Sequence, residues 1–402
     1  MVELEKNEII NNILGVNNTT YLVHNYHPYA AKFIPQLPRY LIKKFTNQYD
    51  IVLDPFCGSG TAIVEALLLN RKGMGIEINP IGALVSKVKT TPLKDKQILI
   101  ATQFLTELKH IKNALLVRDK NNTLFQYISD KDLGQDLQDL THTLNFPNKF
   151  HWFKKDVLNA ILHIKYKIDD INDRDVRDFL LVALSSIIVK VSNQESETRY
   201  AAIDKKVNAM DAFSLFEDRV KDMIKRMREF SSLISEKVYA KIYQKDSRFI
   251  DFIPENSVDF IITSPPYPNT YDYYLYHKLR MFVLGFDYKE VQEKEIGSRH
   301  RHSSKKENIE TYLQSMKQCF RNFANILKPE HYFAIVIGDS IIRGVKYDGY
   351  ELIKNIASST EFRVEQHISY ELDDISRLFN KSFRIKGKKE HIIILKNMKG
   401  GY

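Results

Sequence analysis

Four consecutive residues, Ser264-Pro265-Pro266-Tyr267, join a hydroxyl, a stiff backbone and an aromatic ring at the end of an apolar run, Val258–Thr263. Two successive prolines fix φ and cannot donate to a strand ladder, which frees the nearby carbonyls for another partner. A hydroxyl and a carbonyl placed this way can accept hydrogen bonds from an amino group, and the Tyr267 ring offers a stacking face for a planar ligand. Far upstream, the stretch Asp54-Pro55-Phe56-Cys57-Gly58-Ser59-Gly60-Thr61 supplies a carboxylate and glycines that let the backbone approach a ligand closely. Glu77 follows at roughly the 20-residue spacing that suits a carboxylate accepting hydrogen bonds from ribose hydroxyls. A P-loop would need a lysine in the loop, and none is there; the dinucleotide fingerprint would need a third glycine where Ile63 stands. An adenosine ligand with no phosphate at the loop satisfies all of these facts. A Pro-Pro-Tyr turn alone commonly just ends a strand, and a lone Gly-x-Gly commonly just makes a tight turn; the combination carries the reading.

These groups need a frame that brings them together. Ile51–Asp54 reads as a short strand, Ala62–Asn70 as a helix and Gly73–Ile78 as a second strand, an order that implies a right-handed βαβ unit and a parallel sheet. From Asp95 to Lys237 the pattern turns helical, most clearly over Phe179–Val191 and Phe213–Ile234. Strands then return at Val238–Tyr243, Val258–Thr263, Tyr332–Ile337 and His391–Leu395. The expected fold is therefore a doubly wound, Rossmann-like α/β domain built from residues 1–94 and 238–402, carrying a large, mainly helical insertion over 95–237. In such a sheet, ligands bind at the carboxyl ends of the strands, at the topological switch point.

Composition sets outer bounds. The 402 residues, 44% hydrophobic and 11% aromatic, exclude a disordered chain and give room for a large core. A net charge of +9 suits a polyanionic partner, although many basic proteins bind no nucleic acid. Cys57 and Cys319 stand far apart with no Cys/His cluster, so neither a disulfide framework nor a metal site is expected, and a reducing cytoplasm is the simplest compartment. The polar start MVELEKNEIINN is unlike a signal peptide, and FLLVALSSIIVKV, which includes Lys190, is too short to span a bilayer.

VLDPFCGSGT followed by GMGIEINP resembles the cofactor motifs of class I amino-methyltransferases that act on DNA, and HPYAAKFIPQLPRYLI resembles the segment these enzymes pack against the methionine end of S-adenosylmethionine. The resemblance covers about half the chain and leaves the helical block unaccounted for. It implies that Asp54 approaches the methionine amino group and that Glu77 holds the ribose. Lys32 and Phe33 would line the pocket, and Asp246, in QKDSRFIDF, would meet the adenine amino group. Phe56, Cys57, Gly58, Ser59, Gly60, Thr61, Ile78, Asn79 and Ser247 would complete the cofactor site. SPPY resembles the catalytic motif of N4-cytosine enzymes, whereas N6-adenine enzymes more often begin with Asp or Asn; some serine enzymes could act on adenine. Ring-carbon methylation would need a cysteine nucleophile in a Pro-Cys pair, and neither cysteine has that setting.

On this resemblance the substrate is double-stranded DNA with an extruded base, and a restriction endonuclease is the natural companion. The helical block stands where a target-recognition region could sit. Within it, the polar stretch Ser192–Tyr200 offers Asn193, Arg199 and Tyr200 for base or phosphate contact, with a solvated helix-ending loop as an equal alternative. Arg299 and Arg301, in the basic run GSRHRHSSKK, suit phosphates, again with a solvated loop as an equal alternative. Tyr276, Leu279 and Phe282 have helical spacing and read as core. Rival readings are an RNA base N-methyltransferase, whose relatives share the cofactor loop but usually show Asp-Pro-Pro-Tyr, and a non-catalytic nucleic-acid-binding partner.

Overall fold

A computed structural model describes residues 4–16, 18–120, 139–371 and 387–400. Its main sheet has seven strands: β1 (Ile51–Asp54), β2 (Lys72–Ile76), β3 (Ala240–Tyr243), β4 (Val258–Thr263), β5 (Leu327–Gly338), β6 (Phe362–Glu371) and β7 (Lys389–Asn397). Their order across the sheet is β6-β7-β5-β4-β1-β2-β3. Strands β1 to β5 run parallel, and β7 is antiparallel to both of its neighbours. This is the doubly wound class I methyltransferase sheet that the resemblance implies, with its switch point between β1 and β4.

Side chains alternate across a strand, so each face of the sheet collects its own set. Val52, Phe260, Ile262, Ala334, Val336, Ile392 and Ile394 point to one face, against Leu37, Leu41 and Ile42 of the helix Gln36–Phe45. Leu53, Ile261, Ile335, Ile337, Ile393 and Leu395 point to the other, against Met316, Phe320 and Phe323 of Ile309–Ile326 and Ile353 and Ile356 of Gly349–Ser358. Burial on both faces explains why the central strands read as continuous apolar runs. One strand escapes the period-2 pattern: in β6 a bulge between Val364 and Gln366 breaks the alternation, and the strand is not evident in the sequence.

The helical block consists of Asp95–Lys120, Lys155–Asp169, Arg174–Val191 and Ala209–Leu233. Asp173 caps the third of these by accepting from the Asp175 and Val176 N–H groups, and Asn208 with Asp211 forms a capping box on the fourth. Phe179, Val182, Phe216 and Met223 share one buried cluster with Val64, Leu67, Ile81 and Val85 from the helices after β1 and β2. The stretch Gln194–Ala202 is not a helix-ending loop but a two-stranded antiparallel ribbon.

One ion pair, buried at its arginine end, ties this ribbon to the chain after β4. Arg280, on the helix Lys278–Leu284, is fully buried and donates to the Ser185 carbonyl at 3.0 Å and to Glu197 of the ribbon at 2.5 Å. Removing the arginine leaves the buried Ser185 carbonyl without this donor and opens a cavity. Arg280→Ala is expected to lower stability by about 2–5 kcal/mol, measurable as a lower midpoint in urea unfolding with an unchanged slope.

Candidate active site

Val52 pairs with Phe260 and Leu53 with Ile261, so β1 and β4 emerge side by side at their carboxyl ends. The last residue of each is polar and buried. Thr263 Oγ1 donates to Asp54 Oδ1 at 2.6 Å, and the same oxygen accepts from the Phe56 N–H at 3.1 Å. This bond fixes the start of the glycine loop to the start of the Ser264–Tyr267 loop.

Glu77, just past β2, holds the glycine loop from the other side. Its Oε2 accepts from the Gly58 N–H and its Oε1 from the Asn79 N–H, both at 2.8 Å. Asn79 Oδ1 in turn caps the helix Pro80–Thr90 by accepting from the Ile81 N–H. Gly58 and Gly60 both have left-handed backbone, at φ +50° and +80°, and a Cβ on Gly60 would lie 2.4 Å from Ser86 Oγ. Cys57 is buried with its sulfur 3.6 Å from the same Ser86 hydroxyl, and Thr61 opens the helix Thr61–Leu68. Ser247 Oγ donates to the Pro55 carbonyl, which brings the segment after β3 to the loop.

Burial pushes both Asp54 and Glu77 up to about 7. Ser59 Oγ and Asn79 Nδ2 are buried without a hydrogen-bond partner among the described residues. Two desolvated carboxylates beside unmatched polar atoms fit a polar ligand that carries positive charge.

The remaining candidates fall in distinct places. The Asp246 carboxylate is gripped by the Arg248 guanidinium, at 2.6 Å for its shortest contact, so it is oriented by a cation rather than left open. Lys32 Nζ donates to the His24 carbonyl at 3.3 Å, Phe33 packs against the buried cluster that includes Leu37 and Val52, and Phe56 lies edge-on to Phe323. Ile78 is half-buried between Glu77 and Asn79.

Tyr267 does more than present a ring. Its hydroxyl lies 3.2 Å from Ser264 Oγ and 3.0 Å from Glu390 Oε1, and Tyr370 donates to the other Glu390 oxygen. Several wall residues went unnoticed in the sequence. Tyr29 stacks on Tyr273 with centroids 5.9 Å apart and lies 4.8 Å from the His277 ring. Glu295 accepts from the Tyr273 N–H at 2.9 Å, and burial pushes it up to about 8. Tyr29 lies inside HPYAAKF, and Tyr273 and His277 lie inside the aromatic-rich stretch YPNTYDYYLYHKLRMF, so their motifs were visible; Glu295 has no local signal.

The five nucleic-acid candidates stand apart. None of them hydrogen-bonds to Asp54, Glu77 or Ser264 among the described residues. Asn193 Nδ2 donates to the His151 carbonyl, and exposed Arg199 pairs with Glu195 at 2.8 Å. Tyr200 packs 4.2 Å from Trp152, with Lys278 over its ring. Arg299 is exposed at the start of a short helix, Arg299–Ser303, where a flexible basic loop was expected. Arg301 is turned inward: it pairs with Glu307 and donates to the carbonyls of Glu293 and Glu295, a commitment that competes with phosphate contact.

The pairing of these two loops at the switch point is the arrangement expected of a methyltransferase. Residues 3–82 and 258–400, more than half of the chain, match the family model described as DNA methylase, that of the N6/N4 methyltransferases, and the chain belongs to this family. The type II methyltransferase M.MjaII of Methanocaldococcus jannaschii is 25% identical over 403 residues, covering 81% of this chain and 74% of that protein. M.MvaI of Kocuria varians is 25% identical over 266 residues, covering 62% of this chain and 54% of that protein. A Thermus thermophilus protein described as a DNA modification methylase, solved with S-adenosyl-L-methionine, is 20% identical over 39% of this chain and 54% of its own, with a TM-score of 0.25. The chain thus spans little more than half the length of the last two.

A carboxyl raised by burial binds its proton more tightly folded than unfolded, so it favours the folded state in acid and loses that contribution as pH rises. For Glu77 the loss runs from the ordinary carboxylate range up through about 7. Glu77→Gln removes this term: the stability of the wild type relative to the variant is expected to fall between about pH 5 and about pH 8, as followed by denaturant unfolding without ligand.

Proposed function

We propose that the protein is an S-adenosylmethionine-dependent DNA methyltransferase that modifies an exocyclic amine, N4 of cytosine, within a specific sequence. The observation that carries this reading is the Thr263–Asp54 hydrogen bond, which seats the SPPY loop directly beside the glycine loop. Asp54 and Glu77 would hold the cofactor, with Tyr29 on the wall, and a buried and a half-buried carboxylate suit its positive charge. When bound, the cofactor supplies a methyl group on a positively charged sulfur.

The protein's own task is to prepare the acceptor. An exocyclic amine is a poor nucleophile because its lone pair is delocalised into the ring. Ser264 Oγ and the Pro265 carbonyl would accept hydrogen bonds from its two hydrogens and draw the nitrogen toward a tetrahedral shape. Alignment and fixed dipoles then supply most of the rate enhancement. Pro266 stiffens the loop, and the bonds to Tyr267 hold Ser264 in place. Serine at the first position of the motif supports cytosine over adenine.

The helical block, 95–237, with its ribbon is the proposed recognition region. Support comes from the Trp152–Tyr200–Lys278 stack and the exposed Arg199, groups suited to bases and phosphates. A cognate restriction endonuclease is the partner that the type II names of the relatives would bring. Among the described residues no helix is long and apolar enough to cross a membrane.

The test is incubation with S-adenosylmethionine and unmethylated genomic DNA, followed by nucleoside mass spectrometry. N4-methylcytosine is expected, and Ser264→Ala is expected to lower the transfer rate by about 10²–10³-fold. N6-methyladenine would overturn the base assignment, and methylation of RNA alone would overturn the substrate.

A further inference from the structure

The SPPY loop does not end at Tyr267 but continues, through hydrogen bonds, into the sheet. Ser264 Oγ lies 3.2 Å from the Tyr267 hydroxyl, which lies 3.0 Å from Glu390 Oε1. Glu390 stands on β7 with Tyr370 of β6 directly across on one side and Gly338 of β5 on the other. The Tyr370 hydroxyl donates to Glu390 Oε2. Gly338 makes room for the connection: a Cβ there would lie 3.0 Å from the Tyr267 ring. A glutamate beside the apolar run HIIIL has no structural need of its own, since a core strand is more stable without a buried carboxylate.

A hydroxyl has one proton to give. Tyr370 gives its proton to one carboxylate oxygen, and Tyr267 directs its own to the other at 3.0 Å in preference to the more distant Val336 carbonyl at 3.4 Å, so the Tyr267 oxygen is left as an acceptor for Ser264. Ser264 then has its lone pairs free for the amine. All hydrogen bonds in this chain point from the cleft toward Glu390.

We infer that Ser264, Tyr267 and Glu390 form a proton relay that carries away the proton released when the target amine is methylated. The inference rests on the methyltransferase reading given above. In that reaction the amine nitrogen forms one bond to carbon as the carbon–sulfur bond breaks, its electron pair leaving on sulfur. The nitrogen, now positively charged, must lose one N–H proton. That proton passes to Ser264 Oγ, the serine proton passes to the Tyr267 oxygen, and the tyrosine proton passes to Glu390 Oε1. Serine and tyrosine are restored, and one carboxylate becomes a carboxylic acid, which returns its proton to solvent after the product leaves. Glu390 touches no reacting atom; it acts through Tyr267.

The surroundings suit an acceptor. Burial pushes the Glu390 carboxyl up from its ordinary value, while the Tyr370 and Tyr267 hydroxyls and the adjacent His391 pull it down. Tyr271 is the further titratable group that feels its charge. An acceptor raised in this way holds a proton better than an exposed glutamate does.

The experiment measures single-turnover methyl transfer to DNA at saturating S-adenosylmethionine, as a function of pH, for the wild type and Glu390→Gln. The amide keeps shape and can still accept from Tyr267, but it cannot take a proton. The wild-type rate is expected to fall on the acid side as Glu390 becomes protonated. Glu390→Gln is expected to lose about 10²-fold in rate and to lose that acid limb, with S-adenosylmethionine binding unchanged by calorimetry. A variant that keeps the wild-type rate, or that is slow with the acid limb intact, overturns the relay and leaves Glu390 as a clamp on Tyr267. Loss of cofactor binding in Glu390→Gln marks a misfolded site; Tyr370→Phe, which removes one donor and should shift the acid limb upward, then decides, and an unmoved limb overturns the relay. If the wild type methylates no DNA, the methyltransferase reading fails and the relay falls with it.

Discussion

A single buried hydrogen bond, from Thr263 to Asp54, is the point on which the site turns. It depends on β1 and β4 being parallel neighbours whose carboxyl ends lie side by side at the switch point. Every later element of the site is placed from that joint. The glycine loop departs from one side of it and the SPPY loop from the other, and Glu77 and Ser247 hold the glycine loop from behind. The bond also keeps a carboxylate in a place where solvation is poor, so the site carries an unmet electrostatic demand that a positively charged ligand can satisfy.

Much of this was legible in the sequence because it is encoded locally. DPFCGSGT declares itself through glycines that only a left-handed backbone and a close approach require, and Gly58 and Gly60 have that backbone. The central strands declare themselves because burial on both faces leaves continuous apolar runs. The helices over Phe179–Val191 and Phe213–Ile234 declare themselves through apolar spacing.

What was not legible depends on partners distant in the chain. The bulge at Val364 disguised β6 by shifting its alternation, and the ribbon at Gln194–Ala202 is too short and polar to leave a periodic signal. Glu390 fell just outside the strand expected over His391–Leu395, and its meaning comes from register: Tyr370 opposite it on one strand, and a glycine on the other that admits Tyr267. Arg301 shows the converse, a residue whose type suggested a surface role but whose neighbours turn it inward. Residue type sets what a side chain can do; tertiary partners decide which option is used.

The Arg280–Glu197 pair, buried at its arginine end, has a consequence for how such proteins can diversify. The ribbon of the helical block is wired by a desolvated guanidinium to the helix that follows the SPPY loop. A block exchanged for one without the matching carboxylate would leave the recipient with a buried, unbalanced guanidinium. Exchange of this region as a free-standing cassette is therefore disfavoured. Change is accommodated more readily at exposed residues such as Arg199 within a resident block, or by moving the block and the helix carrying its counter-charge together.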